Sequence, residues 1–462
     1  MTRDERRTYD VAVVGGGVVG CAVARELARW PLRVALLEAS HDVGDGTSKA
    51  NTAILHTGFD TSPGTLESRL VARGFDLLSA YATRSGIPVE PVGALLVAWD
   101  PEQLAALPGL AERAAKNGYL RTRLVEVDEL YGSEPHLGPG ALGALEVPDE
   151  SVICPWTTTL AFAVEAVGLG ADLCLGTAVL GVEPDDAGGH LLKTSAGEIR
   201  ATYLVNAAGL ASDEVDRMLG HHGFTITPRR GQLVVFDKLA RRLVSHILLP
   251  VPTARGKGVL VAPTVYGNVL LGPTAEDLDD KTDTGSTDAG LAALRAHGRR
   301  ILPALLDEEV TTIYAGLRAA TEHGDYQVDV HHEQGYVCVG GIRSTGLTAS
   351  LALAEHVAAA MLELGWLAGE PRASEPPVMP NLGQVFPRPY EQAERIALDP
   401  AYGTIVCHCE RVSLGEVRDA FQGPIPAVTP EGLRRRTRAG MGRCQGFFCG
   451  AQIADLVAGA GS

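Results

Sequence analysis

Residues 9–38 read YDVAVVGGGVVGCAVARELARWPLRVALLE, and they decide the fold. YDVAVV is an apolar run of strand length, VVGCAVARELARW has helical periodicity, and RVALLE is a second apolar run. The segment therefore predicts strand, helix, strand, the opening of a doubly wound parallel sheet. Between the first strand and the helix stand Gly15, Gly17 and Gly20 in GxGxxG order. They serve a tight turn, a close backbone approach to pyrophosphate and close packing of helix on sheet. The helix N-terminus offers unpaired N–H groups to phosphates. Glu38 closes the second strand, where a carboxylate can accept hydrogen bonds from the hydroxyls of an adenosine ribose. A glycine-rich turn that binds nothing needs neither the second strand nor its terminal carboxylate, so the combination points to a dinucleotide.

FAD and NAD share this fingerprint. Only one GxGxxG is present, and a flavoenzyme reduced by NAD(P)H through two dinucleotide domains needs a second such unit. The electrons are therefore expected from an organic substrate. Further strands are predicted at VGALLVA, IRATYLVNAAG, GQLVVFD, GVLVAP, NVLLGP, TTIYAGLR and YVCVGG. Helices are predicted at LESRLVARGFDLLSAYATRSG and LTASLALAEHVAAAMLELGW. The strands of residues 230–272 follow one another without intervening helices, which suggests an antiparallel substrate sheet inserted into the nucleotide-binding domain.

At 462 residues the chain predicts two or three domains. No apolar run reaches bilayer-spanning length, and no apolar signal-peptide core follows the charged N-terminus, so a soluble, cytoplasmic protein is expected. A formal charge of −16 argues against nucleic acid as a partner. The charge is uneven: from residue 401 onward the balance is +2, which leaves −18 for the first 400 residues. Residues 369–400 hold seven of the 27 prolines and show no sustained periodicity, so they are expected to form a linker draped over the main body.

Cys21, Cys154, Cys174 and Cys338 are scattered through apolar or strand-like contexts, as small buried hydrophobes are. Cys407 and Cys409 form one close pair, Cys444 and Cys449 another, with 34 residues between the pairs. Four thiolates suit a tetrahedral zinc or a [2Fe-2S] cluster, and the spacing does not choose between them. Beside them Arg434, Arg435, Arg436, Arg438 and Arg443 read equally as a solvated helix face, as charge balance for a thiolate-ligated cluster, or as a dock for an acidic redox partner.

Several blocks taken in order, VVGGGVVG, DGTSKANTAILHTGFDTSPGTLESRL, LVNAAGLASDEV, GKGVLVAPTVYGNVLLGPTAED and VGGIRSTGLTASLALAEHV, resemble the D-amino-acid-oxidase-like flavoproteins. Within them the resemblance is to the glycerol-3-phosphate dehydrogenase and 2-hydroxyglutarate dehydrogenase branch. It implies FAD, with Thr47 and Ser48 near its phosphates and ribityl chain, Val179 near the adenine, and Gly209, Gly341, Gly346 and Leu347 lining the cofactor. The tail, from IVCHCERVSLGEV to LRRRTRAGMGRCQGFFCG, resembles the bacterioferritin-associated-ferredoxin-like domain and so implies a [2Fe-2S] cluster on the four cysteines. A cluster also gives a reduced flavin an exit for its electrons, which zinc does not.

The expected fold is α/β: a Rossmann-like FAD-binding domain, an inserted antiparallel β-sheet substrate domain and a small α-rich C-terminal [2Fe-2S] domain. The oxidoreductase spans residues 1–368, with FAD-binding parts near 1–80, 150–215 and 310–368 and substrate-domain parts near 81–149 and 216–309. The linker is 369–400 and the cluster domain 401–462.

Hydride transfer from a carbon bearing a hydroxyl requires a base for the hydroxyl proton and cations for an anionic substituent. His56 in ILHTGFD is the candidate base, the alternative being a histidine that only packs against the flavin. Arg318 in YAGLRAAT and Arg343 in GGIRSTG each follow an apolar strand, and by the resemblance both face the substrate. Lys257, between glycines in GKGVLV, is the third cation. The leading expectation is a dehydrogenase of a small anionic 2-hydroxy compound, glycerol 3-phosphate first and 2-hydroxyglutarate or another 2-hydroxy acid second. Competing expectations are an amine or amino-acid oxidase and a non-catalytic iron-sulfur carrier subunit. A redox partner protein or subunit, membrane-associated or free, is expected to take the electrons.

Overall fold

The computed structural model describes residues 7–252 and 258–460. Strand β1 (Thr8–Val14) leads through Gly15–Gly17 into helix α1 (Val18–Leu27), and β2 (Val34–Leu37) follows. β1 lies between two parallel neighbours, Val11 pairing with Tyr203 of strand Gly197–Asn206 on one side and with Val34 of β2 on the other. It is apolar and buried at nearly every position because both faces of a parallel sheet are covered. α1 covers one face, flanked by helices Pro155–Gly168 and Gly346–Glu363. Its close seat needs glycine at position 20, where a Cβ would fall 1.8 Å from the Gly15 carbonyl oxygen. Strand Tyr336–Gly340 joins beside the end of Gly197–Asn206, also in parallel. The parallel strands of this eight-stranded sheet thus end together at Val14, Leu37, Asn206 and Gly340.

A second sheet of nine strands is built around Thr227–Phe236, which pairs antiparallel with Val310–Ala320 from Thr227↔Ala320 to Phe236↔Val310. By that pairing Val310–Ala320 is a strand of the second sheet, although its place in the sequence groups it with the FAD-binding parts. The remaining pairings of this sheet are antiparallel except one: Ile247–Pro250 runs parallel to Ala94–Ala98. These two strands come from separate insertions that both enter from the first domain, so no hairpin reverses one against the other.

The segment after residue 369 is pinned to the body: the Arg372 N–H donates to the Arg29 carbonyl, Met379 to Ser85 and Gln384 to Val265. Within the stretch expected to be a linker the chain also forms a short helix, Ala393–Leu398. Arg388 bonds Glu416 at 2.6 Å and so belongs to the C-terminal unit. In that unit a ribbon of Ile405–Cys407 and Val412–Ser413 and helices Leu414–Gln422, Pro430–Thr437 and Gly450–Ala460 enclose a separate small core with Val406, Val412, Val417, Leu433 and Ile453.

Three arginines of the run, Arg435, Arg436 and Arg438, do not lie on a solvated face, whereas Arg443 is exposed. Arg435 and Arg436 are buried and converge on Asp42 of the first domain, at 2.8 Å and 2.7 Å, and Arg435 also holds Asp45 at 2.7 Å. Arg438, buried too, bonds Glu410 at 2.8 Å and lies 4.0 Å over the ring of Tyr266. Burial pushes the Asp42 carboxyl up, but Arg436 and Arg435 outweigh it and hold it below the ordinary carboxylate range. No helix among the described residues is long and apolar enough to cross a membrane.

Candidate active site

The residues expected to face the nucleotide stand where the parallel strands stop, the usual place for a ligand in a doubly wound sheet. Gly15 follows β1, Glu38 follows β2, Gly209 lies just past Asn206, and Gly341 follows Gly340. Gly15 has φ 106°, and a Cβ on it would meet the Ala207 carbonyl oxygen at 2.4 Å. The Glu38 carboxylate is fixed by N–H donors from Gly16 at 2.6 Å and Ser40 at 2.7 Å. Gly17 is different: beyond its chain neighbours, the described residues bring only Ser48 Oγ, at 3.3 Å, within 4 Å of where its Cβ would be. The turn there is open on the side a pyrophosphate would take.

Thr47 and Ser48 sit on a single 3-10 turn, Thr47 donating to the Leu317 carbonyl at 2.8 Å and Ser48 Oγ accepting the Val18 N–H at 2.9 Å. A groove of about 110 Å³ brings together Gly17, Thr47, Ser48, Gly209, Gly341, Gly346 and Leu347. Gly20 supports it from behind by letting α1 lie against Gly15. Val179 does not line the groove. It begins strand Val179–Pro184, two residues after Thr177, whose N–H donates to the Glu38 carbonyl. The cradle fits FAD on three counts: anchored Glu38, open Gly17 and a polar turn at the helix N-terminus.

The groove opens into a larger cavity of about 430 Å³ between the two sheets, and Thr47, Asn51, Ile54, Arg343 and Ser344 line both. His56, Arg318 and Arg343 meet in it; Lys257 lies outside the described residues. His56 is placed by its backbone, whose N–H donates to Thr348 Oγ1 at 3.0 Å. Its Nδ1 is 3.1 Å from Glu150 Oε2, and Glu150 is wholly buried. The other oxygen, Oε1, accepts from the Thr57 N–H at 2.6 Å and the Thr57 hydroxyl at 2.9 Å. Sequence reasoning missed Glu150: it lies 94 residues from His56 in PDES, and only its position at the mouth of strand Ser151–Ile153 hints at a role.

Arg318 donates to the Thr274 carbonyl at 2.7 Å, and no carboxylate among the described residues is within ion-pair distance of it. The nearest acidic influence, Asp277, is already engaged by Arg229 at 2.9 Å. Burial, then the neighbouring charge of Arg229, push the Arg318 guanidinium down to about 10. A cation so placed is costly until an anion joins it. Arg343 donates to the Gly324 carbonyl at 2.6 Å and is 3.5 Å from Glu67, so part of its charge is spent.

In the tail the four clustered cysteines come together. Cys409 lies beside Cys444 and Cys407 beside Cys449, and each pair feels the charge of the other. Burial and then Cys407 push the Cys449 thiol up to about 12, whereas N–H groups led by that of Phe448 lower the Cys444 thiol. The Gly440 N–H points at Cys407 Sγ, 3.4 Å away. Four thiolates this close repel one another unless cationic iron lies among them, and the N–H donors suit cluster sulfur. Two thiol pairs suit a two-iron cluster, and four thiolates also suit a tetrahedral zinc.

Between the tail and the body lies a further cavity of about 350 Å³, walled by Asn51, Trp156 and Tyr266 on one side and by Arg434, Met441 and Gln445 on the other.

Comparison with known proteins agrees with this geometry. Residues 10–360 match the FAD dependent oxidoreductase family. The chain belongs to that family. Residues 405–458 match the BFD-like [2Fe-2S] binding domain, so this oxidoreductase is an enzyme of two cofactors, FAD and a [2Fe-2S] cluster. It is 35% identical to a glycerol 3-phosphate dehydrogenase of Caloramator mitchellensis over 97% of its own length and 94% of that protein's. It is 31% identical to a glycerol 3-phosphate oxidase of Mycoplasma pneumoniae over 75% of its length and 92% of that protein's. The structure of the L-alpha-glycerophosphate oxidase from Mycoplasma pneumoniae with FAD bound superposes with a TM-score of 0.76 at 30% identity, covering 81% of this chain and 99% of that one.

Proposed function

We propose that this flavoprotein oxidises glycerol 3-phosphate to the ketone and passes the electrons through its tail to an external acceptor. The observation that carries the substrate class is Arg318, a largely buried guanidinium with no ion-pair partner among the described residues, in a cavity continuous with the flavin groove. A phosphate or carboxylate entering there supplies the missing charge, and a guanidinium can bind it through two parallel hydrogen bonds. Arg343 stands on the same cavity as a second cation, and Lys257 is the third candidate. His56 takes the hydroxyl proton of the substrate. FAD, when bound, accepts the hydride from the carbinol carbon. The phosphate is preferred over a carboxylate because relatives that cover nearly the whole chain, or nearly all of their own length, are named for glycerol 3-phosphate. The relatives named for L-2-hydroxyglutarate match over 58% of the chain.

The test is anaerobic bleaching of the flavin in purified holo-protein by glycerol 3-phosphate, L-2-hydroxyglutarate, glycine and proline in turn. Bleaching by glycerol 3-phosphate at the lowest concentration is expected. Bleaching by the hydroxy acid alone moves the substrate assignment, and bleaching by the amino acids alone removes it. For the exit route, Cys444→Ser should lose iron and acid-labile sulfide and slow an external acceptor while leaving substrate-driven bleaching intact. Stoichiometric zinc without iron in anaerobically prepared wild type would refute the relay.

A further inference from the structure

We infer that Glu150 is the positioning residue that makes His56 a base, an inference that rests on the proposed role of His56. A neutral imidazole carries its proton on one nitrogen and a lone pair on the other, and only the lone pair can receive a proton from substrate. In His56 the choice is made by what Nδ1 faces. It faces Glu150 Oε2 at 3.1 Å, a carboxylate oxygen that accepts and cannot donate. Nδ1 therefore keeps the hydrogen, and the lone pair is left on Nε2, on the side of the ring away from Glu150.

Three features make this more than a chance contact. Glu150 is completely buried, and the basic side chain paired with it among the described residues is the imidazole of His56 itself. A buried carboxylate is costly unless it is hydrogen-bonded and meets a positive charge. Thr57 supplies two hydrogen bonds, both to Oε1, so the carboxyl group cannot rotate away from the ring. The positive charge arrives when His56 takes the substrate proton: the imidazolium then lies against a carboxylate already in place, with no solvent to reorganise. The proton moves from the substrate hydroxyl to Nε2, the electron pair it leaves on oxygen closes the carbonyl as the hydride departs to the flavin, and Glu150 is unchanged throughout.

The arrangement predicts an informative substitution. In Glu150→Gln the two Thr57 donors hold the amide oxygen, and the NH2 group is turned toward Nδ1. An NH2 donates, so Nδ1 must accept, the hydrogen moves to Nε2 and the lone pair facing the substrate is lost. Loss of a positioned base typically costs about 100- to 10,000-fold in rate. The expected result is a kcat lowered by about 100-fold or more, a KM for glycerol 3-phosphate within about threefold of wild type, and full FAD content, the signature of removing an interaction made only in the transition state. A kcat within about threefold of wild type in a folded, flavin-loaded Glu150→Gln would overturn the inference. A second measurement does not depend on the variant folding: 15N spectra of histidine-labelled wild-type holo-protein, with His56→Gln to assign the resonance. A neutral His56 protonated at Nδ1 is expected, and one protonated at Nε2 overturns the inference. His56→Gln separates this inference from the reading beneath it: if it keeps wild-type kcat, His56 is not the base. If it is inactive while Glu150→Gln is fully active, only the positioning role fails.

Discussion

Arginines do opposite things in the two halves of this molecule. At the seam between body and tail, Arg435, Arg436 and Arg438 are buried and each meets a carboxylate, Asp42 or Glu410, within 2.8 Å. In the cavity beside the proposed flavin groove, the hydrogen-bond partners of Arg318 among the described residues are carbonyl oxygens. Burial imposes the same desolvation cost on both, so the difference lies in who supplies the compensating charge. At the seam the chain supplies it, and the result is a fixed joint. In the cavity no carboxylate among the described residues supplies it, and the proposed result is a seat for an anion.

The sharpest way to break the comparison is Asp42→Asn. It leaves buried Arg436 without its counter-charge and Arg435 with Asp45 alone, and breaking a buried pair in this way costs about 3–5 kcal/mol. The tail should loosen, read as faster protease cleavage near residue 388. Next comes Arg318→Ala, which should lower kcat/KM for glycerol 3-phosphate by about 2–5 kcal/mol of transition-state binding. Unlike Asp42→Asn, it should leave thermal stability unchanged or raised, because no native ion pair is lost. Arg318→Lys keeps the charge without the two-pronged geometry and should fall between, about 1–2 kcal/mol down in kcat/KM. The smallest effect is expected from Arg443→Ala, whose half-exposed guanidinium holds Asp237 at 2.9 Å: no resolvable change in melting temperature or protease resistance.

Acid provides an independent check on the seam. Asp42 is held below its ordinary value in the folded chain, so its stabilising contribution is complete above the unfolded carboxylate range, about pH 4, and is lost as pH falls through the lower folded value. Docking of the tail should therefore be flat from neutral pH to about pH 4 and weaken only below it.

What could be read in the sequence was local. Gly15, Gly17, Gly20 and Glu38 lie within one strand-helix-strand unit, so their spacing alone defines a nucleotide turn. Cys407 with Cys409 and Cys444 with Cys449 announce themselves as pairs for the same reason. Glu150 and Asp42 could not be found this way, because their partners His56 and Arg436 are 94 and 394 residues distant and only the folded chain brings them together. The arginine run shows the limit most clearly: its composition fits a solvated helix, an ion balance or a docking face equally well, and the place of its buried members is set by Asp42 and Asp45 of the first domain and by Glu410. The strand Val310–Ala320 was visible as a strand, but its sheet was not, since pairing with Thr227–Phe236 leaves no mark on its own residues.

The seam has a consequence for the order in which the protein is made. Synthesis delivers the body first, and by the time the arginines emerge their seat on Asp42 and Asp45 already exists. The tail has its own small core, so it can close around its cysteines before it docks. The uneven charge along the chain, negative in the body and positive in the tail, then draws the late-born module to its place. Salt would screen that attraction, slowing the last step of maturation more than it weakens the finished joint, where Asp42, Arg435 and Arg436 are buried.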